Sequence, residues 1–308
     1  MSDEWSAFAA ASGMDRSEQL VLIAALHYCK RNPTWDDLAK TMGSSKSTLR
    51  SWMVDVWPGV VERLPFMCWC ARLECQGVGS LPNVTCIVDG VAIPTNWNNE
   101  HNYSLKKGNN YNFQVFCTLD GCPVAATGPN NGARHDAFNY LQEPGPVHYA
   151  EEWILADSGY QGCCHCIVPF KKEQGDELST AQKHFNDVHT KYRSRIERVF
   201  GKMKNKWAVL RQCNLKDPKL VRAAVCLVLN FEAYESKNRP QTYAVDFPLC
   251  HNHLSWHVCD CTMDHHTDIG KEQTKQSQSV RGHMQLQMFL LGDGPSHKHP
   301  GHSKRVRE

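Results

Sequence analysis

No stretch of this chain approaches the roughly 18 consecutive apolar residues that a membrane-spanning helix needs, so a soluble protein with no membrane partner is expected. The first residues, among them Asp3, Glu4 and Trp5, have neither the basic start nor the apolar stretch of a secretory leader, which points to an intracellular protein. Net charge is scarce as well: 34 Lys and Arg against 32 Asp and Glu leave +2, so no single-sign field covers the molecule. Cysteine is plentiful, but 15 is an odd number in a chain of 308 residues without a leader. Several, including Cys86, Cys117 and Cys226, fall in apolar runs where a free thiol behaves as a small hydrophobe, so reduced thiols are expected. What is present is ordinary globular material. A hydrophobic fraction of 41% is enough to build a core, and the length suits about two domains.

The near-zero net charge conceals one cluster. Between Lys183 and Arg222 stand twelve Lys or Arg and three Asp or Glu, a local excess of nine positive charges. Such a cluster on a neutral chain suits contact with a polyanion, although a solvated helix face would give the same count.

Residues 17–55 carry a helical period, with Leu20, Ile23, Ala24 and His27 on one stripe and Asn32-Pro33 as the break. Thr34 is a candidate N-cap, with Asp37 three residues on. The segment from Trp35 to Trp52 resembles a helix-turn-helix. Ala39 is small where two helices would cross, Gly43 supplies the turn, and Leu38, Met42, Leu49 and Trp52 provide the packing. The second helix would then expose Lys46, Ser47, Arg50 and Ser51 to DNA, with Lys46 and Arg50 as the expected DNA-binding pair. A plain helical hairpin is the alternative. Residues 63–82, with Cys68, Cys70, Cys75, two glycines and Pro82, read as a linker; no second cysteine pair sits at zinc-finger spacing.

From Val84 the period changes to that of strands. Val84–Ile93, Tyr111–Leu119, Pro123–Thr127, Trp153–Asp157 and Ile167–Phe170 are predicted strands, with Asp120-Gly121 as a hairpin turn between the second and third. Thr180–Trp207 is predicted helical, with Ile196, Val199, Phe200 and Met203 as its buried stripe, and Pro218–Glu235 as a closing helix. Three antiparallel strands, a helical crossover, two more strands and a helix is the order of an RNase-H-like α/β domain. The expected division is therefore a small all-α helix-turn-helix domain at 15–62, the linker at 63–82 and an RNase-H-like mixed sheet with flanking helices at 83–236. The tail at 237–308 holds 9 of the 16 histidines after Asn238 and little apolar periodicity, so it is expected to be largely disordered. Its Cys250, His251, His253, His257, Cys259, Cys261, His265 and His266 leave a zinc module open, though their spacing matches no closed four-ligand pattern.

Three acids stand out by context. Asp89 interrupts an apolar strand, Asp157 ends another, and Glu197 lies on a helix among Arg193, Arg195 and Arg198. A lone carboxylate in a core strand is costly unless it is paired or binds a metal. Hard oxygen ligands from two strands and a helix could hold two Mg²⁺ or Mn²⁺ ions, the arrangement that serves phosphodiester cleavage. Each acid also has a plainer reading: Asp89 a turn with Gly90, Asp157 a cap on Ser158-Gly159, and Glu197 a helix-surface partner of Arg193 or Lys204.

Five ordered blocks carry a resemblance: Val88-Asp89-Gly90, Tyr103 to Gly108, Gly132-Ala133-Arg134-His135-Asp136, Leu155 to Tyr160, and Arg193 to Lys204. Over about Val84 to Arg211 the chain resembles the Harbinger-type DDE transposases, a group whose relatives include nuclease-like proteins in vertebrates. The resemblance implies a DDE superfamily endonuclease with a divalent-metal cofactor, Mg²⁺ or Mn²⁺, and the catalytic, metal-binding triad Asp89, Asp157 and Glu197. It also implies a separate DNA-binding accessory protein in some members, and a nuclear location is expected. Arg193, Glu197 and Lys204 fit the spacing of a signature in related bacterial insertion sequences, whereas its tyrosine is replaced by Thr190. Those offsets put the three on one helical face, with Arg193 and Lys204 suited to DNA phosphate. His135 and Asp136 could support the site or position DNA, or simply start a helix. A homo-oligomer is an open expectation, as is a domesticated form that binds DNA without cutting it.

Overall fold

The computed structural model describes residues 3–75, 83–96, 103–104, 108–142, 152–172 and 177–238. The expected tail beyond Asn238, residues 105–107 of the Tyr103–Gly108 block and residues 76–82 of the expected linker lie outside them. Among the described residues no helix is long and apolar enough to cross a membrane.

The first third of the chain is helical: α1 (Asp3–Ala11), α2 (Arg16–Arg31), α3 (Trp35–Met42), α4 (Lys46–Ser51) and α5 (Trp57–Glu62). Local chemistry sets their ends. The Asp15 carboxylate accepts from the backbone N–H groups of Ser17 and Glu18 to cap α2, and Asn32 closes that helix in the left-handed region, just before Pro33. Thr34 caps α3 by accepting from the Asp37 N–H, while its hydroxyl donates to the Asp37 carboxylate. Gly43, at φ +63°, takes the left-handed turn into α4. A π-helical turn at Trp52–Val56 joins α4 to α5. It falls just before Pro58, which lacks the N–H that regular α-helical bonding would require there.

The sheet is mixed. Strands β1 (Val84–Pro94), β3 (Gly108–Thr118) and β4 (Pro123–Asn131) pair antiparallel, with β3 in the middle and the two-residue β2 (Tyr103–Ser104) beside the start of β3. On its other side β1 pairs parallel with β5 (Trp153–Leu155), which pairs parallel with β6 (Cys166–Ile167). Helix α6 (Asp136–Gln142) lies on the crossover from β4 to β5. Beyond the sheet come α7 (Thr180–Lys206), α8 (Ala208–Arg211) and α9 (Pro218–Asn238). A capping box, with Ser179 and Gln182 each accepting from the other's backbone, starts α7. The expected α/β order is thus present, with two strands shorter than expected. The fourth ends at Leu155, before Asp157, and the fifth is Cys166–Ile167 rather than Ile167–Phe170.

Strand period decides which residues face which layer. Along β1, Cys86 and Val88 join a cluster with Phe116, Tyr140, Ile154, Ala156 and Tyr160 on the α6 side. Ile87, Val91 and Ile93 face the opposite layer, with Leu155, Ile167, Phe185, Ile196 and Met203. That second cluster does not stop at residue 83. It runs without a break into Leu22, Leu26, Leu38, Leu49 and Trp57 of the N-terminal helices, through Leu227, Phe231 and Ala233 of α9. Phe8 packs at a tilt against Phe66 and Phe231 with ring centroids 4.8 and 5.1 Å apart. The helical segment and the sheet share one core.

The described part of the expected linker is also packed. Trp69–Cys75 forms a 3₁₀ helix whose Arg72 is fully buried. Its guanidinium grips both oxygens of the buried Glu152, which also accepts from Thr85, and it lies 4.1 Å over the Trp69 ring. A buried, bidentate ion pair of this kind fastens the segment to the start of β5 and to β1.

Candidate active site

Parallel pairing aligns the two strand acids. Ile87 lies opposite Leu155, and Asp89 and Asp157 each stand two residues further on, Asp89 at the middle of β1 and Asp157 just past the end of β5. Asp89 is still within β1, whereas Asp157 caps the 3₁₀ turn Ser158–Tyr160 by accepting from the Gly159 N–H at 2.7 Å. Asp89 accepts from the Gly90 N–H at 2.8 Å. Burial, as the largest cause, raises the Asp89 carboxyl to about 6; Gly90 and Arg193 pull it down, and the charges of Asp157 and Asp136 push it further up.

Helix α7 brings the third acid. Arg193 reaches Asp89 at 3.4 Å and also binds Glu197 one turn along. Glu197 is therefore tied to Asp89 through a guanidinium and keeps a side chain 52% exposed. The plainer local partners expected for Asp157 and Glu197 do form, and the Gly90 N–H bond forms without ending the strand. They coexist with the bridge that Arg193 makes between Asp89 and Glu197. Among the described residues no three His, Cys, Asp or Glu side chains close into a preformed metal cluster.

Two neighbours escaped the reading of the sequence. His189, one turn before Arg193 on α7, is buried and shares a hydrogen bond with the Ile167 carbonyl at 3.2 Å; burial holds its pKa below the usual histidine range. Tyr160 is fully buried, and its hydroxyl has no hydrogen-bond partner among the described residues. Burial first, then the charges of Asp136, Asp89, Cys166 and Asp157, push its phenol well above the usual value. Its place in the Leu155–Tyr160 block was the available signal. Asp136 begins α6, and its carboxylate approaches Gly90 so closely that a Cβ there would stand 2.6 Å from Oδ1. His135 beside it is exposed.

The basic cluster is partly spent on structure. Lys202 and Lys206 pair with Glu232 and Glu235, Arg195 donates to the Leu119 carbonyl, Arg222 to that of Gly128, and Arg211 to those of Lys204 and Asn205. Lys204 is half-buried. Lys46 and Arg50 are exposed on α4 and line a shallow groove with Ser47, Ser51, Val54 and Asp55. Lys46 forms a 2.8 Å ion pair with Asp36 of α3, both side chains more than half exposed, so the pair is worth little and opens readily.

The mixed sheet thus sets Asp89 of β1 near Asp157 beyond β5, with α7 bringing Arg193 and Glu197 to Asp89. Residues 85–229 match the family described as DDE superfamily endonuclease. Over 206 residues, 65% of this chain and 72% of the relative, the chain is 28% identical to a protein of Streptomyces albus G described as "Putative transposase for insertion sequence element IS112". Together these matches support a transposase or endonuclease of the DDE superfamily; neither reaches the Harbinger subdivision. No solved structure matches the chain.

Proposed function

We propose that the protein is a metal-dependent DNA endonuclease of the transposase type, acting in the nucleus. Its RNase-H-like domain carries the acids Asp89, Asp157 and Glu197, and α3 with α4 serves as a helix-turn-helix. The observation that carries the reading is the Ile87–Leu155 register, which sets Asp89 beside Asp157 with Arg193 and Glu197 facing them.

The donor set fits a divalent cation. It consists of carboxylate oxygens, the ligands that Mg²⁺ and Mn²⁺ prefer, and Asp89 is raised to about 6 by burial and by acidic neighbours that a cation would offset. When bound, two such ions activate the attacking oxygen and stabilise the leaving one. Asp89, Asp157 and Glu197 would hold them. Freeing Glu197 requires only the opening of an exposed i,i+4 pair, on the order of 0.3–0.5 kcal/mol. Arg193, released from the acids, would bind the scissile phosphate, and Lys204 the flanking backbone. Lys46 and Arg50 on the opposite helix pair supply a second contact with the duplex. A second copy of the chain or an accessory DNA-binding protein would extend that grip.

Nicking of supercoiled plasmid by the purified chain in Mn²⁺ tests the reading. Wild-type protein should nick, and Asp157→Asn should lose activity by orders of magnitude. Equal nicking by both would overturn the site assignment. DNA retention without nicking in either would favour a domesticated DNA-binding protein.

A further inference from the structure

We propose that Asp136 is a fourth carboxylate of the cation site at Asp89 and Asp157, delivered from the α6 face and admitted by the absence of a side chain at Gly90. This rests on the function proposed above and adds a ligand that the three expected acids do not include.

Geometry supplies the case. Alternation along β1 turns Asp89 toward α7 and Gly90 toward α6. A Cβ on Gly90 would stand 2.6 Å from Asp136 Oδ1 and 3.1 Å from its Cγ, so the carboxylate rests on the bare backbone next to Asp89. Its position is held from behind: Gln114, the cross-strand partner of Gly90, donates to the Asp136 backbone carbonyl at 2.7 Å. The second observation is independent of the acids. The Tyr160 hydroxyl, on the α6 side of the sheet, is fully buried without a partner among the described residues, and the charges that act on it are those of Asp136, Asp89, Cys166 and Asp157. A buried, unpaired hydroxyl is costly, by roughly 1–3 kcal/mol, and a core position would ordinarily hold phenylalanine. A bound, hydrated cation would give that hydroxyl something to bond.

The ligand is a hard divalent cation, and the probe is Mg²⁺, whose preference for oxygen keeps it off the histidines and cysteines of residues 239–308. Full-length protein is titrated with Mg²⁺, and the rise in Tm over an EDTA reference is read as affinity. Asp136→Asn keeps the size and the helix-start preference of the side chain, so a purely structural role survives it. Gly90→Ala leaves every acid in place but pushes the Asp136 carboxylate aside. Both variants should melt near wild type in EDTA and need at least tenfold more Mg²⁺ for the same shift, with Tyr160→Phe displaced in the same direction. Wild-type Mg²⁺ response in Asp136→Asn and Gly90→Ala, with the response lost in Asp89→Asn, would overturn this proposal and leave the three-acid site standing. No response in any protein, wild type included, would overturn both.

Discussion

Replacing Asp89 by asparagine should stabilise the protein in EDTA, although it removes a residue from the centre of the site. Burial raises this carboxyl from 3.8 to about 6 despite the help of Gly90 and Arg193. A displacement of about two on the pH scale, at about 1.4 kcal/mol each, means that keeping Asp89 ionised at neutral pH costs the fold on the order of 3 kcal/mol. The folded-state value lies above the unfolded one, so protonation favours folding. The stability tied to that proton is fully present below about pH 4 and is lost as the pH rises through 6. Asparagine keeps the Gly90 N–H bond, gives up the Arg193 contact and sheds the buried charge; a net gain of about 1–3 kcal/mol follows. Urea denaturation of wild type and Asp89→Asn in EDTA at a series of pH values is the assay. The gap in favour of Asp89→Asn should be small near pH 4 and reach full size above pH 6. A variant less stable than wild type at pH 7.5, or a gap that ignores pH, would refute the reasoning.

Glu197→Gln should abolish nicking while leaving DNA affinity at fixed salt equal or slightly higher, because it removes one negative charge from a basic helix; retained nicking would make Glu197 a surface ion-pair residue. Lys46→Ala with Arg50→Ala should weaken DNA binding and flatten its salt dependence by about two in slope, as expected for two lost phosphate contacts; unchanged affinity and slope would remove α4 from the DNA interface. Arg72→Ala should cost about 3–5 kcal/mol in urea denaturation by stranding the buried Glu152, and Arg72→Met with Glu152→Leu should restore most of it. A loss below 1 kcal/mol in Arg72→Ala would mean that the 3₁₀ segment is not fastened by this pair.

The strands and their acids were legible because each lone carboxylate broke an apolar run, and Asp120-Gly121 marked the hairpin that the β3–β4 turn indeed uses. The N-cap Thr34 and the turn at Gly43 were equally local, so the α3–α4 pair lies where the spacing put it. What stayed hidden was long-range. Arg72 meets Glu152 across 80 residues, and nothing near either announces the other. Helix α1 is short, and its Phe8 is explained by the distant rings of Phe66, Phe231 and Tyr234. The basic run read as a polyanion face because the sequence does not show that Glu232 and Glu235 come back to claim Lys202 and Lys206. Tyr160 stood in view within its block, but its hydroxyl gained meaning only once Asp136 arrived from the other face.

The continuous core has a mechanical consequence. Two domains on a string can grip DNA at one point and cut anywhere the string allows. Here α2 and α5 are seated on α9, and α9 shares its packing with the helix that carries Arg193 and Glu197. Close-packed interiors transmit displacement rather than absorb it. On the proposed function, the interval between the Lys46–Arg50 face and Asp89 is then a property of the fold, and the protein works as a caliper. Its choice of cut site would be governed by distance along the duplex as much as by the bases it touches.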